Sequence, residues 1–96
     1  MLTFLARMKV KAEKEQDFLR LARELTSEVH AREPETVAYE FFKLRDEPLG
    51  YAVYEQFLNE EAEKAHLNTP HFHRIAPDLI ECLDGTYVRE YLDPLD

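Results

Sequence analysis

The sequence predicts an α+β domain of the ferredoxin-like type, β-α-β-β-α-β, in which one four-stranded antiparallel sheet carries its helices on one face. Three observations lead to this fold class. Four stretches are typical of strands, two other regions repeat apolar residues at helical spacing, and a short polar turn separates the second strand from the third. A chain of 96 residues corresponds to a single domain, residues 1–96.

The first strand and the first helix account for the N-terminal third of the chain. Leu2 to Val10 alternates apolar and polar side chains, as a half-buried strand does. From about Lys14 to Arg32 the spacing becomes helical. One buried stripe is expected on this helix, formed by Phe18, Leu21, Ala22, Leu25 and Val29. Pro34 ends the helix, because the residue before a proline resists helical backbone angles.

Two strands joined by a polar turn form the predicted hairpin. The second strand runs from Thr36 to Leu44, the turn from Arg45 to Gly50, and the third strand from Tyr51 to Phe57. In the second strand, one face is predicted to hold Val37, Tyr39 and Phe41, and the other Ala38, Glu40, Phe42 and Leu44. Both faces therefore carry large apolar side chains.

The C-terminal part alternates helix and strand once more. A helix is predicted around Glu60 to His66, because this segment is rich in strong helix formers. Pro70 to Leu83 is predicted as a further helical stretch with a break at Pro77. The last strand is expected over Thr86 to Leu92.

The apolar second face of the hairpin predicts that the sheet is covered on both sides. A half-solvated sheet alternates apolar and polar side chains more cleanly than this one does. The helices can cover one face only. The simplest cover for the other face is the same sheet of a second copy, so a homodimer is expected.

Charge and composition exclude several other classes of protein. The net charge of −8, with no cluster of Lys and Arg, disfavours a nucleic-acid partner. No apolar run has membrane-spanning length, and the alternating N-terminus differs from a signal peptide. The lone Cys82 cannot form an internal disulfide, which favours a reducing, cytoplasmic location and a buried structural thiol.

The segment from Glu55 to Phe72, EQFLNEEAEKAHLNTPHF, carries the strongest functional signal. Its AHLNTPHF part, together with LTFLARMKV, REPETVAYEFF and YAVYEQF, resembles the antibiotic biosynthesis monooxygenase family over nearly the whole chain. The resemblance implies a dimeric α/β barrel. It also implies cofactor-independent oxygenation, with molecular oxygen, of a small aromatic substrate of the quinol or polyketide type.

The resemblance also suggests which residues form the site. His66 and His71 are candidates for the catalytic base, since imidazole titrates near neutral pH. Five further residues are candidates for substrate binding: Tyr39, Tyr54, Glu55, Phe57 and Phe72. Family members often carry tryptophan where this chain has Phe57. That difference weakens the oxygenase assignment and, together with a missing asparagine in the first strand, disfavours haem degradation.

Alternatives remain open for these residues. His66 could instead cap its helix, and His71 could bond a backbone carbonyl near Pro70. A metal site is disfavoured, because His71 and His73 point in different directions on a helix and no cysteine or close carboxylate completes a tetrahedral set. For the protein as a whole, the alternative to a monooxygenase is an isomerase or a non-catalytic small-molecule-binding protein on the same dimeric barrel.

Overall fold

The structure, a computed structural model, describes residues 1–96 and contains one four-stranded antiparallel sheet with three α-helices. The elements are β1 (Leu2–Lys9), a 3₁₀ turn (Ala12–Lys14), α1 (Glu15–Arg32), β2 (Thr36–Lys43), β3 (Gly50–Phe57), α2 (Glu60–Leu67), α3 (Pro70–Glu81) and β4 (Val88–Tyr91). The strand order is β2-β3-β1-β4. The predicted β-α-β-β-α-β fold is confirmed.

The first helix covers the sheet with the stripe that its spacing predicts. Phe18, Leu21, Ala22, Leu25 and Val29 are all buried and belong to the main core. The helix ends where the chain reaches Pro34, and the backbone N–H of Glu33 donates to the carbonyl of Val29 at 3.0 Å. This end places the Glu33 side chain beneath the helix layer.

Alternation along the strands gives the sheet two different faces. In β1 and β3, Phe4, Ala6, Val53 and Phe57 point toward the helices and are buried. The opposite face, here called the open face, consists of Thr3, Leu5, Arg7, Lys9, Ala38, Glu40, Phe42, Ala52, Tyr54, Gln56, Val88 and Glu90. No element of the protomer covers it.

A bulge in β2 corrects one predicted facing. The strand register shifts between Thr36, which pairs with Phe57, and Ala38, which pairs with Gln56. Val37 is the extra residue and is 49% exposed, so it does not share the buried face of Tyr39. A β-bulge leaves one residue unpaired and bends the strand, which sequence alternation alone does not reveal.

The predicted break at Pro77 is wrong, because α3 continues through it to Glu81. Proline removes the bond to the carbonyl four residues earlier, here that of His73. His73 and Pro77 are both exposed, so water can bond to the freed carbonyl, while the buried stripe of Ile75, Ala76 and Leu79 holds the helix in place. None of the helices is both long and apolar enough to cross a membrane.

Candidate functional site

Three helix ends bring ionisable side chains together on the helix-covered side of the sheet. Glu33 follows the last turn of α1, and His66 lies in the last turn of α2. His71 is the second residue of α3, whose start is fixed by the Thr69 hydroxyl accepting from the backbone N–H of Phe72 at 3.2 Å. The short connection between α2 and α3 therefore places two imidazoles around one helix break.

Glu33 is the centre of this cluster. Nδ1 of His66 lies 2.9 Å from Oε1 of Glu33, and Nε2 of His71 lies 2.5 Å from Oε2. The Thr36 hydroxyl donates to Oε1 at 2.7 Å. The side chains of Glu33, His66 and His71 are only 7%, 2% and 5% exposed. Both carboxylate oxygens are thus hydrogen-bonded, and the three side chains are almost closed to solvent.

The surroundings keep Glu33 ionised. Burial alone would raise the pKa of its carboxyl, but the hydrogen bonds from His66, His71 and Thr36 outweigh burial and lower the pKa to about 2. An ionised carboxylate can only accept hydrogen bonds. Nδ1 of His66 and Nε2 of His71 therefore carry the protons and donate.

This bond fixes the orientation of His66. Because its Nδ1–H is directed to Glu33, the opposite nitrogen, Nε2, carries the lone pair in the neutral ring and lies 4.0 Å from Oε1 of Glu55. A carboxylate on one imidazole nitrogen also stabilises the imidazolium that forms when a proton is taken up. Nε2 is therefore the nitrogen of His66 that is left free to bond a ligand at the cavity.

Glu55 has the opposite electrostatic character from Glu33. Burial raises the pKa of its carboxyl to about 8, against the opposing effect of Arg89 and with the help of the nearby charges of Glu63 and Glu33. At neutral pH this group is mainly protonated. The site thus contains one ionised carboxylate that supports a base and one carboxylic acid that can donate a hydrogen bond or a proton.

Aromatic rings enclose the imidazole of His66. The ring centroids of Tyr39 and Phe57 lie 5.3 Å from it, and that of Phe72 lies 4.9 Å away. Burial raises the pKa of the Tyr39 phenol well above its ordinary value, with Glu55 and Glu33 adding to the effect. The phenol therefore stays protonated and can act only as a neutral hydroxyl.

A cavity of about 100 Å³ opens beside these groups, between the sheet and α3. Thirteen of its 16 lining residues are hydrophobic, and the other three are Glu55, His66 and Arg89. The sheet contributes Met8, Tyr39, Phe41 and Val53, and α3 contributes Phe72 and Leu79. A concave apolar site with a few convergent polar groups is the usual form of a small-molecule site.

The structure brings some of the predicted site residues together and separates others. His66, Tyr39, Glu55 and Phe72 line the cavity. Phe57 is fully buried and supports the His66 ring without lining the cavity. Tyr54 requires a correction, because strand alternation places it opposite Leu5 and Glu40 on the open face, away from this cavity.

The histidines divide into two pairs. His66 and His71 are buried and both bond to Glu33, and neither ring caps its own helix. His71 is absent from the cavity lining, and its Nε2 is occupied by Glu33. His30 is half exposed beside Glu40, and His73 is exposed. No three His, Cys, Asp or Glu side chains are grouped so as to hold a metal ion.

Two residues of the site are not among the candidates that the sequence predicts. Glu33 lies in the predicted turn before Pro34, and the local pattern does not show that buried donors surround its carboxylate. Arg89 lies in the predicted last strand, and pairing opposite Ala6 places it on the covered face. The available signal was the alternation of the last strand, which places the cation of Arg89 on a face that is otherwise expected to be apolar.

Comparison with known proteins agrees with this fold. Residues 1–78 match the sequence profile of the family described as antibiotic biosynthesis monooxygenase. The chain is similar to a solved structure titled as an antibiotic biosynthesis monooxygenase, with 26% identity, all of both chains covered and a TM-score of 0.89.

Two further solved structures are similar. One is a Caulobacter crescentus protein described by the same family name, with 27% identity, 99% of this chain and 90% of that chain covered, and a TM-score of 0.91. The other is a conserved protein of Methanosarcina mazei, with 27% identity, coverage of 95% and 89%, and a TM-score of 0.86. None of the curated proteins matches the chain.

Proposed function

Because this chain belongs to the antibiotic biosynthesis monooxygenase family, we propose that it is a monooxygenase that uses no cofactor and oxidises a small quinol-type substrate with molecular oxygen. One observation carries the proposal. The imidazole of His66 is held by the buried carboxylate of Glu33, with its free nitrogen turned toward an apolar cavity. This is the arrangement that deprotonation of a phenolic hydroxyl in a dry site requires.

The reaction begins with a proton transfer. Nε2 of His66 takes the proton of a substrate hydroxyl, and the resulting anion is electron-rich enough to pass one electron to oxygen. The radical pair combines at a ring carbon and, after protonation, gives a hydroperoxide. Loss of water breaks the O–O bond and the C–H bond of that carbon and leaves a carbonyl. One oxygen atom enters the product, the other leaves as water, and the substrate supplies all four electrons.

Each surrounding group has a defined role in this scheme. Glu33 stabilises the imidazolium, and His71 and Thr36 are positioning residues that hold Glu33. The protonated carboxyl of Glu55 is the donor that stabilises the substrate anion and protonates the peroxide. Phe72 and Phe41 form apolar walls for the ring.

The size of the cavity favours a single-ring substrate. Its volume of about 100 Å³ is below the roughly 300–1,000 Å³ of pockets that hold drug-sized ligands. A polycyclic polyketide would require the side chains at the cavity mouth to move apart. A hydroquinone with small substituents would not.

An isomerase is the second candidate, favoured by the distance of 4.0 Å between Nε2 of His66 and Oε1 of Glu55. A base and a protonated acid this close can remove a proton from one atom of a bound substrate and deliver one to another. Such a reaction needs the same anion but no oxygen. Exchange of substrate hydrogen with deuterated solvent, without oxygen consumption, would identify it.

A homodimer joined through the open faces is also part of this proposal. Phe42 and Val88 on that face are 51% and 62% exposed, although both are large apolar residues. Apolar sheet faces of this kind are normally covered, and a self-complementary contact with a second copy would cover both at once. Light scattering at micromolar protein concentration should give twice the mass of the chain.

Oxygen uptake with substituted hydroquinones tests the oxygenase proposal. His66→Asn is the sharpest variant, because the asparagine amide can still donate to Glu33 while the base at Nε2 is lost. We expect its rate to fall by at least about a hundredfold, the usual contribution of a general base. His73→Asn, which removes an exposed imidazole outside the cavity lining, is the matched control and should retain activity. Equal rates in the two variants would remove His66 from the role of base.

A further inference from the structure

Arg89 is the one permanent cation among the residues that line the cavity. It lies on β4, and its guanidinium stacks over the ring of Phe4 with 4.4 Å between the guanidinium carbon and the ring centroid. Its side chain is 30% exposed. Stacking on an aromatic ring fixes the plane of the guanidinium, so its hydrogen-bonding edge has a defined direction.

Most of that edge is unused by the protein. Nη1 donates to Oε2 of Glu63 and to the hydroxyl of Tyr91, each at 3.2 Å. Nε and Nη2 make no hydrogen bond to any protein group. An arginine carries five N–H donors in a planar fork, and the Nε and Nη2 donors together match the two oxygens of a carboxylate.

The cavity lining can hold an anion despite the charge of −8 on the whole chain. Glu55, the acidic side chain in the cavity lining, is mainly protonated at neutral pH because its pKa is raised to about 8. Arg89 is therefore the one permanent charge in the lining, and Glu63, which pairs with its Nη1, is not a lining residue. A neutral ligand would displace water from the guanidinium without replacing its hydrogen bonds, which disfavours binding.

The contact with Glu63 shows that this guanidinium binds a carboxylate. Its carboxylate, on α2, pairs with Arg89 on β4 and so connects two elements at the cavity. The Glu63 side chain is 18% exposed and bonds only one nitrogen of the fork. A ligand carboxylate could bind the free edge beside Glu63 or displace it.

We propose that the substrate is an aromatic acid, a dihydroxybenzoate-like molecule whose carboxylate binds the Nε and Nη2 edge of Arg89 while its ring hydroxyl faces His66. This inference rests on the proposed function, since it takes the same cavity as the substrate site. Arg89 is then the residue that determines specificity for acids over neutral quinols. Glu63 is a competing internal carboxylate.

Binding of a matched pair of probes tests this without any turnover. The probes are 2,5-dihydroxybenzoate and 2,5-dihydroxybenzamide, which differ in charge but hardly in shape, titrated calorimetrically in the absence of oxygen. We expect the acid to bind at least about tenfold more tightly, as a charge-assisted bidentate contact implies. Arg89→Gln should remove that preference and leave the affinity for the amide within about twofold. Glu63→Gln should strengthen binding of the acid only.

The control variant is Arg74→Gln. Arg74 also pairs with a glutamate, Glu24, at 3.4 Å, but on the exposed helix surface, so its loss changes the charge equally without touching the cavity or the open face. Equal affinity for acid and amide, an acid preference that survives Arg89→Gln, or no binding of the acid at millimolar concentration would each overturn the inference. Thermal unfolding of each variant establishes that it is folded.

The two proposals can fail separately. Selective binding of the acid without oxygen consumption would keep Arg89 as the specificity residue and reject the oxygenase. Oxidation of neutral hydroquinones with no preference for acids would keep the oxygenase and reject the role of Arg89.

Discussion

The two faces of the sheet are made by the same strands but bury different chemistry. On the helix-covered face, the side chains of Glu33, His66 and His71 are almost fully buried, and both imidazoles bond to Glu33. On the open face, Phe42 and Val88 are exposed. One face buries polar groups, whereas the other exposes apolar ones.

The contrast between the two faces separates the chemistry of the site from the assembly of the protein. Buried ionisable groups are retained only where they bond one another, because an unpaired buried charge is strongly destabilising. The Glu33 cluster meets that condition and directs a base into a cavity. The open face lacks such a network and carries a surface suited to a second copy. Changes on the covered face should therefore alter stability and chemistry, and changes on the open face should alter assembly.

The largest effect is expected from removing the charge at the centre of the cluster. Glu33→Gln should lower the free energy of unfolding by about 3 kcal/mol, since it weakens two buried hydrogen bonds to a charged group, each worth roughly 1.5–3 kcal/mol. The two imidazoles would lose the carboxylate that both of them bond. Urea unfolding at neutral pH measures the change.

Glu35→Gln is the matched control for that variant. Glu35 lies in the same turn but its side chain is exposed, so its free energy of unfolding should change by less than about 0.5 kcal/mol. Similar losses at both positions would mean that the turn, and not the cluster, is responsible.

Glu55, on the covered face, should make the free energy of unfolding depend on pH. Because burial raises the folded-state pKa from 4.5 to about 8, the folded protein binds this proton more tightly than the unfolded chain. The resulting stability is fully present below about pH 4.5 and is lost as the pH rises through 8. Between pH 5 and pH 7, the free energy of unfolding of the wild type should therefore fall by roughly 2–3 kcal/mol relative to that of Glu55→Gln.

Unfolding free energies of the two proteins at a series of pH values measure this difference. Glu33 does not obscure it, because its pKa is lowered to about 2 and its contribution is lost only as the pH falls from 4.5 toward 2. Parallel stability curves for wild type and Glu55→Gln would show that the Glu55 carboxyl is ionised in the folded state at neutral pH.

A charge on the open face should change the mass of the assembly and leave the protomer folded. Phe42→Asp should shift the dimer toward monomer by at least about tenfold in dissociation constant, because it would place an unpaired charge in the interface. Val37→Asp is the control, since Val37 is 49% exposed at the bulge and lies off this face. Light scattering that shows a dimer for both variants would move the interface elsewhere.

The smallest effect is expected at the exposed histidine of α3. His73→Ala should change the free energy of unfolding by less than about 0.5 kcal/mol, as surface substitutions usually do. His71→Ala, two residues earlier, should be destabilising because it removes a donor to Glu33. Equal effects at the two positions in urea unfolding would contradict the division of the histidines into a bonded and an exposed pair.

Much of the fold follows from local pattern, and less of the site does. Alternation and helical spacing located all four strands and the stripe of α1, because each pattern depends on neighbouring residues only. The bulge at Val37 and the continuity of α3 through Pro77 depend on tertiary packing, which those patterns do not contain.

The same limit explains the site. The sequence identifies His66 and Glu55 because they lie in one distinctive segment. Glu33, at the end of α1, is 33 residues from His66 in the chain and meets it only in the folded structure. Tyr54 was assigned to the cavity by residue type, although strand parity already places it on the face opposite Glu55. Parity within a strand is therefore the stronger guide to which aromatic residues line a cavity.

The tautomer of His66 tests the central claim most directly. Long-range ¹H–¹⁵N correlation spectra of the imidazoles, assigned with the His66→Asn variant, distinguish a proton on Nδ1 from one on Nε2 as the pH is raised. Bonding to Glu33 predicts that neutral His66 keeps its proton on Nδ1 and leaves Nε2 free toward the cavity. A neutral ring protonated on Nε2 would contradict the account, because it would leave no base facing the substrate.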